Sequence, residues 1–200
     1  MHDLIKKLAI WVLGDYSIYH IYSQSAENSQ VTLPQSTGLS YALVDEAQVA
    51  SSHDKLILDQ IIYHGPDTHV YACLDGSRIV GLCYFWHGER YRKRNFWPLA
   101  EGEAKLVQIV TIPEMRGFGV ASHLLAYAAR DMFRIGFHCV YARIWHSNTP
   151  SLRAFQRAGW GRVATVIEVN PLRRKTPLRI TWRKRGHGKG GRSSIAVMLF

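Results

Sequence analysis

Val110-Thr111-Ile112-Pro113-Glu114-Met115-Arg116-Gly117-Phe118-Gly119-Val120-Ala121-Ser122-His123-Leu124-Leu125 is the stretch whose reading decides the fold. An apolar, β-branched run ends at Pro113, a short loop with one arginine and two glycines follows, and apolar residues then recur at helical spacing. Gly117 and Gly119 let the backbone turn tightly, approach a ligand closely and leave several N–H groups pointing inward. Those donors, with the positive end of the following helix dipole, suit an anion such as a pyrophosphate, and Arg116 adds a charge nearby. Glycine-rich turns from strand to helix also occur without ligands. No lysine follows the glycines as in a P-loop, and the spacing is not G-x-G-x-x-G.

Downstream, Val120, Leu124, Ala128 and Met132 fall four apart on one face, so a helix is expected over residues 116–133, ended by Gly136. Strands are expected at 139–145, 161–169 and 178–182, with a short helix at about 149–157. Upstream, residues 68–74 and 78–86 read as strands joined by Asp75-Gly76-Ser77, a hairpin signal, and 104–112 is the strand that runs into the loop. Residues 16–22 alternate aromatic and β-branched side chains, 24–38 form a polar loop, 39–44 a short strand, and 45–63 a helix interrupted near Ser51 and Ser52. Hairpin strands first and strand–helix–strand units later indicate an α/β (α+β) chain with a mixed sheet, more antiparallel at its start.

The chain has 200 residues, 47% apolar and 20% charged, which suits one globular domain over 1–200 that needs no disulfide or metal. Cys73, Cys83 and Cys139 are odd in number and lie in apolar runs, as reduced core thiols of a cytosolic protein do. No run approaches the roughly 18 apolar residues of a membrane span, and the first 14 residues lack a signal-peptide cleavage site. Leu4, Leu8, Trp11 and Val12 share one face of a short helix, which packs on the domain or lies on a membrane surface. Net charge is +10, concentrated at Arg90, Arg92, Lys93 and Arg94 and again from Arg173 to Arg192, which favours anionic partners.

Arg116-Gly117-Phe118-Gly119-Val120-Ala121 resembles the R/Q-x-x-G-x-G/A signature of the GNAT acyltransferases, and Ile112-Pro113 sits where their V-x-P-x-x-R-G segment has its proline. About thirty residues on, NTPSLRAFQRAGW, from Asn148 to Trp160, is similar to that family's second signature, N-x-x-(S/A)-x-x-(L/A)-Y-x-K-x-G-F. The resemblance covers about 104–169, a cofactor-binding core, and the first hundred residues match in strand order alone. It implies the GNAT fold: a twisted, mixed, mostly antiparallel sheet with helices on both faces. Acetyl-CoA, or another acyl-CoA, would lie in the cleft between the fourth and fifth strands, with no metal. Ile109, Val110 and Thr111 would then present backbone groups to the pantetheine and the thioester carbonyl. Arg116, Gly117, Phe118, Gly119, Val120 and Ala121 would hold the pyrophosphate, and Asn148 and Ser151 would lie along the pantetheine arm. Phe155 falls beside the cofactor, where the family's usual general acid is a tyrosine.

The implied reaction is N-acyl transfer by direct attack of a primary amine in a ternary complex, with a backbone N–H near Val110 or Thr111 polarising the carbonyl. No G-x-S-x-G elbow or paired Cys/His motif offers a covalent route. Phe155 carries no hydroxyl. Expelling a thiol of pKa about 8.5 as thiolate at pH 7 costs about 2 kcal/mol, which transfer can bear, or Ser151 or a water substitutes; the alternative is a chain that transfers poorly or only binds. As proton acceptor the sequence offers Glu103, at the start of the strand, and His146, at the end of the next, with His87 and Glu89 by the long connection.

Residues 84–97, YFWHGERYRKRNFW, interleave aromatic and basic groups: a lid over the acceptor, a solvated hairpin extension, or a contact for single-stranded nucleic acid. The basic tail at about 184–195 suits anionic headgroups. The chain therefore reads as a cytoplasmic N-acetyltransferase, free to touch a membrane peripherally, whose amine acceptor is a small molecule or a lipid-linked intermediate. Its rivals are a longer-chain transferase using acyl-CoA or acyl carrier protein, and a non-catalytic basic module for nucleic acid or an acidic partner.

Overall fold

The computed structural model describes residues 16–28, 38–92, 97–170, 178–183 and 195–199. The expected helix carrying Leu4, Leu8, Trp11 and Val12, the basic residues Lys93 and Arg94, and the tail at 184–194 lie outside the described residues. In chain order come β1 (Tyr16–Ser25), β2 (Leu39–Leu43), α1 (Glu46–Ala50), α2 (Lys55–Leu58), β3 (Thr68–Asp75), β4 (Arg78–Trp86), α3 (Gly88–Arg92) and β5 (Glu103–Thr111). Then follow α4 (Val120–Arg134), β6 (Cys139–Trp145), α5 (Thr149–Arg157), β7 (Gly161–Val169), β8 (Leu178–Arg183) and β9 (Ile195–Leu199). Contacts divide them into two compact units, one of residues 23–142 and 150–161, the other drawn from 1–22, 143–149 and 162–200.

The larger unit grows from the β3–β4 hairpin, which Gly76 turns at φ +58°. β2 adds antiparallel to β3, and β5 antiparallel to β4. Beyond Arg78, β4 is buried along its whole length because both its faces are covered. Side chains alternate between those faces. A Cβ on Gly81 would lie 3.0 Å from Val120 Cγ1 of α4, so Gly81, Cys83 and Phe85 look toward α4. Tyr84 and Trp86 look the other way, onto Tyr63, with ring centroids at 5.8 and 6.0 Å. Helices thus lie on both faces, and β4 reads as an unbroken apolar run instead of an alternating one. The thiols of Cys73 and Cys83 are fully buried here. Burial pushes Cys73 up to about 11 and raises Cys83 as well.

Tyr63 closes the segment expected to be one interrupted helix. Asp45 and Gln48 form a reciprocal capping box that starts α1. α2 begins after Asp54, and a single turn at Ile61–Tyr63 completes the run. From α3, Arg90 stacks 4.4 Å over Trp86 and donates to the carbonyls of Tyr63 and His64. Tyr91 is buried, its hydroxyl donating to the Trp97 carbonyl. The aromatic residues Tyr84, Phe85, Trp86 and Tyr91 of the expected lid are therefore core. Arg90 serves the fold, and Arg92 pairs with exposed Glu89.

Two further differences from expectation concern the strand that enters the glycine loop. α4 starts at Val120, not at 116, because Gly117 and Gly119 sit at φ +87° and +81°, outside right-handed helix. The cleft expected between the fourth and fifth strands is also displaced. β4 and β5 are paired from Gly81↔Thr111 to Trp86↔Lys105, whereas β5 meets β6 in parallel only from Glu103↔Cys139 to Leu106↔Ala142. The open edge is the far edge of β5.

In the smaller unit, β7, β8 and β9 pair antiparallel and β1 lies beside β7. The Glu168 carboxylate accepts from Ser17 Oγ, Tyr19 OH and Arg179 Nε at 3.2, 2.9 and 2.7 Å, tying three strands through one group. β9 falls at the end of the stretch expected to be basic tail.

Gly81→Val would set a branched side chain against Val120 Cγ1 and, at 3.3 Å from the Cβ, the Val110 carbonyl. Neither can retreat without moving α4 or β5, so the variant is expected to lose about 1–3 kcal/mol of stability. Urea unfolding reads this as a lower midpoint at unchanged slope; a variant as stable as the parent would show that α4 is not seated on Gly81.

Candidate functional site

The Ile112 N–H donates to the Val80 carbonyl at 3.1 Å. Donor direction alternates along an antiparallel ladder, so Val110 and Gln108 also face β4, while Ile109 and Thr111 turn their N–H and C=O to the far edge. The ladder to β6 ends at Leu106, and among the described residues of this unit no strand lies beside Ile109 or Thr111. An extended ligand can take a strand's place at such an edge. Two of its groups are engaged already: the Ile109 N–H donates to Gln108 Oε1 and the Thr111 carbonyl accepts from Arg116 Nε, each at 3.2 Å. Gln108 donates onward to Gln60 Oε1 at 2.6 Å and Gln60 to the Leu56 carbonyl at 2.8 Å, which links the edge to α2. Of the two donors expected for a carbonyl, the parity of the ladder removes Val110 and leaves Thr111.

Beyond Thr111, Pro113–Met115 makes one helical turn, with the Arg116 N–H on the Pro113 carbonyl. Nothing lies within 4 Å of a Cβ placed on Gly117, whereas one on Gly119 would meet the His123 ring at 3.1 Å. Gly119 is the N-cap of α4 and supplies no side-chain cap, so the first N–H groups of a 15-residue helix keep their donor capacity. Phe118 beside them is 68% exposed. An uncapped helix start with an adjacent arginine is a place for an anion. Burial lowers the pKa of His123, so at neutral pH the ring under the loop stays uncharged. Glu114, two residues before Arg116, is held by Arg78 at 2.6 Å, and the same guanidinium grips Asp54 at 2.9 and 3.0 Å.

Glu103 is not brought to this loop. It opens β5, and at about 3.3 Å per residue it lies about 26 Å along the strand from Thr111. Its carboxylate accepts from the Ala100 N–H at 2.7 Å and from Tyr141 OH at 3.0 Å. There it borders a cavity of about 570 Å³ shared with His87, Tyr91, Arg92, Leu99 and Phe137. Ser151 and Phe155 lie on α5 within the larger unit. Phe155 is 2% exposed and meets Trp160 edge-on at 5.0 Å. Asn148 and His146 belong to the smaller unit. The Asn148 N–H donates to the Trp145 carbonyl, and His146 Nδ1 lies 3.0 Å from the Ile18 carbonyl. A carbonyl only accepts, so Nδ1 carries the proton of this bond and Nε2 is the nitrogen left to accept one when the ring is neutral. Gln60, Gln108 and the Asp54–Arg78–Glu114 cluster escaped the sequence reading because no short-range pattern joins residues 24 to 48 positions apart.

The description of the Acetyltransferase (GNAT) family matches residues 36–160. A GCN5-related N-acetyltransferase from Kribbella flavida is similar over 76% of this chain and 56% of its own, at 17% identity and a TM-score of 0.53. A GNAT-family acetyltransferase from Colwellia psychrerythraea aligns over 83% and 60%, at 11% identity and 0.56. A GCN5-related N-acetyltransferase from Sphaerobacter thermophilus aligns over 86% and 57%, at 12% and 0.56. The chain thus spans less than two thirds of each of these proteins, and at such identities the likeness concerns the fold. A search of curated proteins found no match.

Phe155→Tyr would bury a hydroxyl beside Trp160, and without a partner that costs about 1–3 kcal/mol. Thermal unfolding is expected to fall accordingly, while thiol release from acetyl-CoA with a reactive amine stays unchanged or rises modestly. A loss above tenfold in a folded variant would give Phe155 a packing role in the site.

Proposed function

The chain belongs to the acetyltransferase (GNAT) family, and on that premise we propose that it is an acyl-CoA-dependent N-acyltransferase, moving acetyl to the primary amine of a small-molecule or lipid-linked acceptor. One juxtaposition carries the reading: a strand whose outer edge, among the described residues of this unit, meets no strand beyond Leu106 runs into two left-handed glycines and an uncapped helix. These residues fit an extended, phosphorylated co-substrate. The N–H groups of residues 117–121, with Arg116, would hold the pyrophosphate. The Ile109 carbonyl, turned to the outer edge of the strand, would accept from a pantetheine amide N–H. Ser151, and Asn148 on the strength of its signature, are proposed for the same arm. Acyl-CoA supplies the activated carbonyl and the thiol leaving group.

The protein's own part is orientation, an oxyanion donor and a proton acceptor. The Thr111 N–H is fixed by the strand and directed to the open edge, where it can donate to a developing oxyanion. The attacking amine must be neutral. His146, whose Nε2 is the ring nitrogen left to accept a proton, is the proposed acceptor; Glu103, held at the far end of β5 by Ala100 and Tyr141, is not. Phe155 delivers no proton, so the sulfur leaves as thiolate or is protonated by Ser151 or water. No helix among the described residues is long and apolar enough to cross a membrane. The lipid-linked acceptor rests on the basic residues between 173 and 192 meeting anionic headgroups.

Thermal unfolding with and without acetyl-CoA tests the reading. Ligand at 100 times its Kd adds about 2.7 kcal/mol to stability, so the melting temperature is expected to rise. Gly119→Asp sets a carboxylate in the loop and is expected to erase that increment. Its new Cβ also meets His123, so the variant alone melts lower and the increment, not the midpoint, is compared. Equal increments in the two proteins would remove the cofactor assignment.

A further inference from the structure

We propose that Arg78 is a positioning residue for the acyl-CoA pyrophosphate: by pairing with Glu114 it neutralises a carboxylate at the foot of the anion loop and ties that loop to α2. The inference rests on the acyl-CoA reading. Arg78 opens β4, Asp54 is the N-cap of α2, and Glu114 sits in the turn that delivers Arg116. The guanidinium makes a two-point contact with Asp54 at 2.9 and 3.0 Å and reaches Glu114 at 2.6 Å. Three pieces of chain distant in sequence meet on this one cation.

The short turn keeps Glu114 close to the loop. Residues two apart are within about 7 Å at their Cα atoms, and Arg116 is pinned by its N–H on Pro113 and its Nε on Thr111. Bonds from its own N–H and from Arg78 hold the Glu114 carboxyl below the usual carboxylate range, so it is charged at neutral pH. Asp54 and Glu114 carry two negative charges and Arg78 one positive. Without Arg78, two uncompensated carboxylates would stand beneath a site meant for a dianion.

Magnitudes separate this role from a structural one. Arg78 and Glu114 are about half exposed, at 49% and 53%, and such surface pairs contribute little to folding. The charge matters chiefly to another charge placed next to it.

Calorimetric titration of CoA at low and moderate salt tests the inference. Arg78→Gln is expected to weaken CoA binding about three- to fivefold at low salt, the scale of a surface charge pair, with a smaller loss at higher salt. Arg78→Lys, which keeps the charge, is expected to bind as the parent does. Glu114→Gln alone should bind CoA as tightly or tighter, and adding it to Arg78→Gln should restore affinity to within about twofold, since the coupling belongs to the pair. If Arg78 merely braced the fold, removing the second partner would not rescue. Unchanged affinity in Arg78→Gln, or a double variant as weak as the single, would overturn the inference and leave the acyl-CoA reading standing. A parent protein that binds no CoA would overturn both.

Discussion

β5 is paired with β4 from Lys105 to Thr111 but with β6 over its first four residues only, and the proposed site depends on that asymmetry. The helix between the two strands sets it up. α4 has 15 residues and rises about 22 Å, close to the length of the nine-residue β5, so the chain is returned almost to the level of Glu103 before β6 begins. Pairing starts there and stops at Leu106. What remains is a strand edge, a glycine turn and a bare helix start, consecutive in sequence. The proposed co-substrate, with an anionic end and an amide-bearing arm, is matched to these three features.

The parts of this arrangement that could be read from the sequence are those whose cause is local. Pro113 ends a strand by its chemistry, Gly117 and Gly119 announce left-handed backbone, and Asp75-Gly76 marks a hairpin wherever it falls between apolar runs. The start of α4 was read four residues early because helical spacing continues through Arg116, while glycine's left-handed conformation overrides it. The open edge was not legible, since the length of a ladder depends on where the partner strand goes. The same holds for the parity that sends Val110 toward β4 and Thr111 away from it. β9 was hidden behind the Gly- and Arg-rich residues that precede it.

Within the segment 84–97, composition misled at Tyr84, Phe85, Trp86 and Tyr91, which are buried. Aromatic and basic residues in alternation suggest a surface that stacks bases or grips an acceptor. In the fold, Tyr84 and Trp86 point to one covered face of the sheet and Phe85 to the other, so all three are interior. Arg90 lies over Trp86 and caps two carbonyls. A strand buried on both faces followed by one helical turn produces, over residues 84–92, the same letters as a binding ribbon.

The sealed cysteines bear on chemistry of a different sort. Sulfur reacts with thioesters, disulfides and alkylating agents as thiolate. Burial pushes the Cys73 thiol up to about 11, so little of it is thiolate at pH 7. Cys83 is more strongly suppressed, and burial raises Cys139 too. Acyl transfer onto Cys73 or Cys83 is disfavoured on that ground, and oxidants find little thiolate there to attack. Once the core opens, Cys73 and Cys83 regain ordinary reactivity, so the rate of cysteine labelling becomes a clock for exposure of the β3–β4 hairpin.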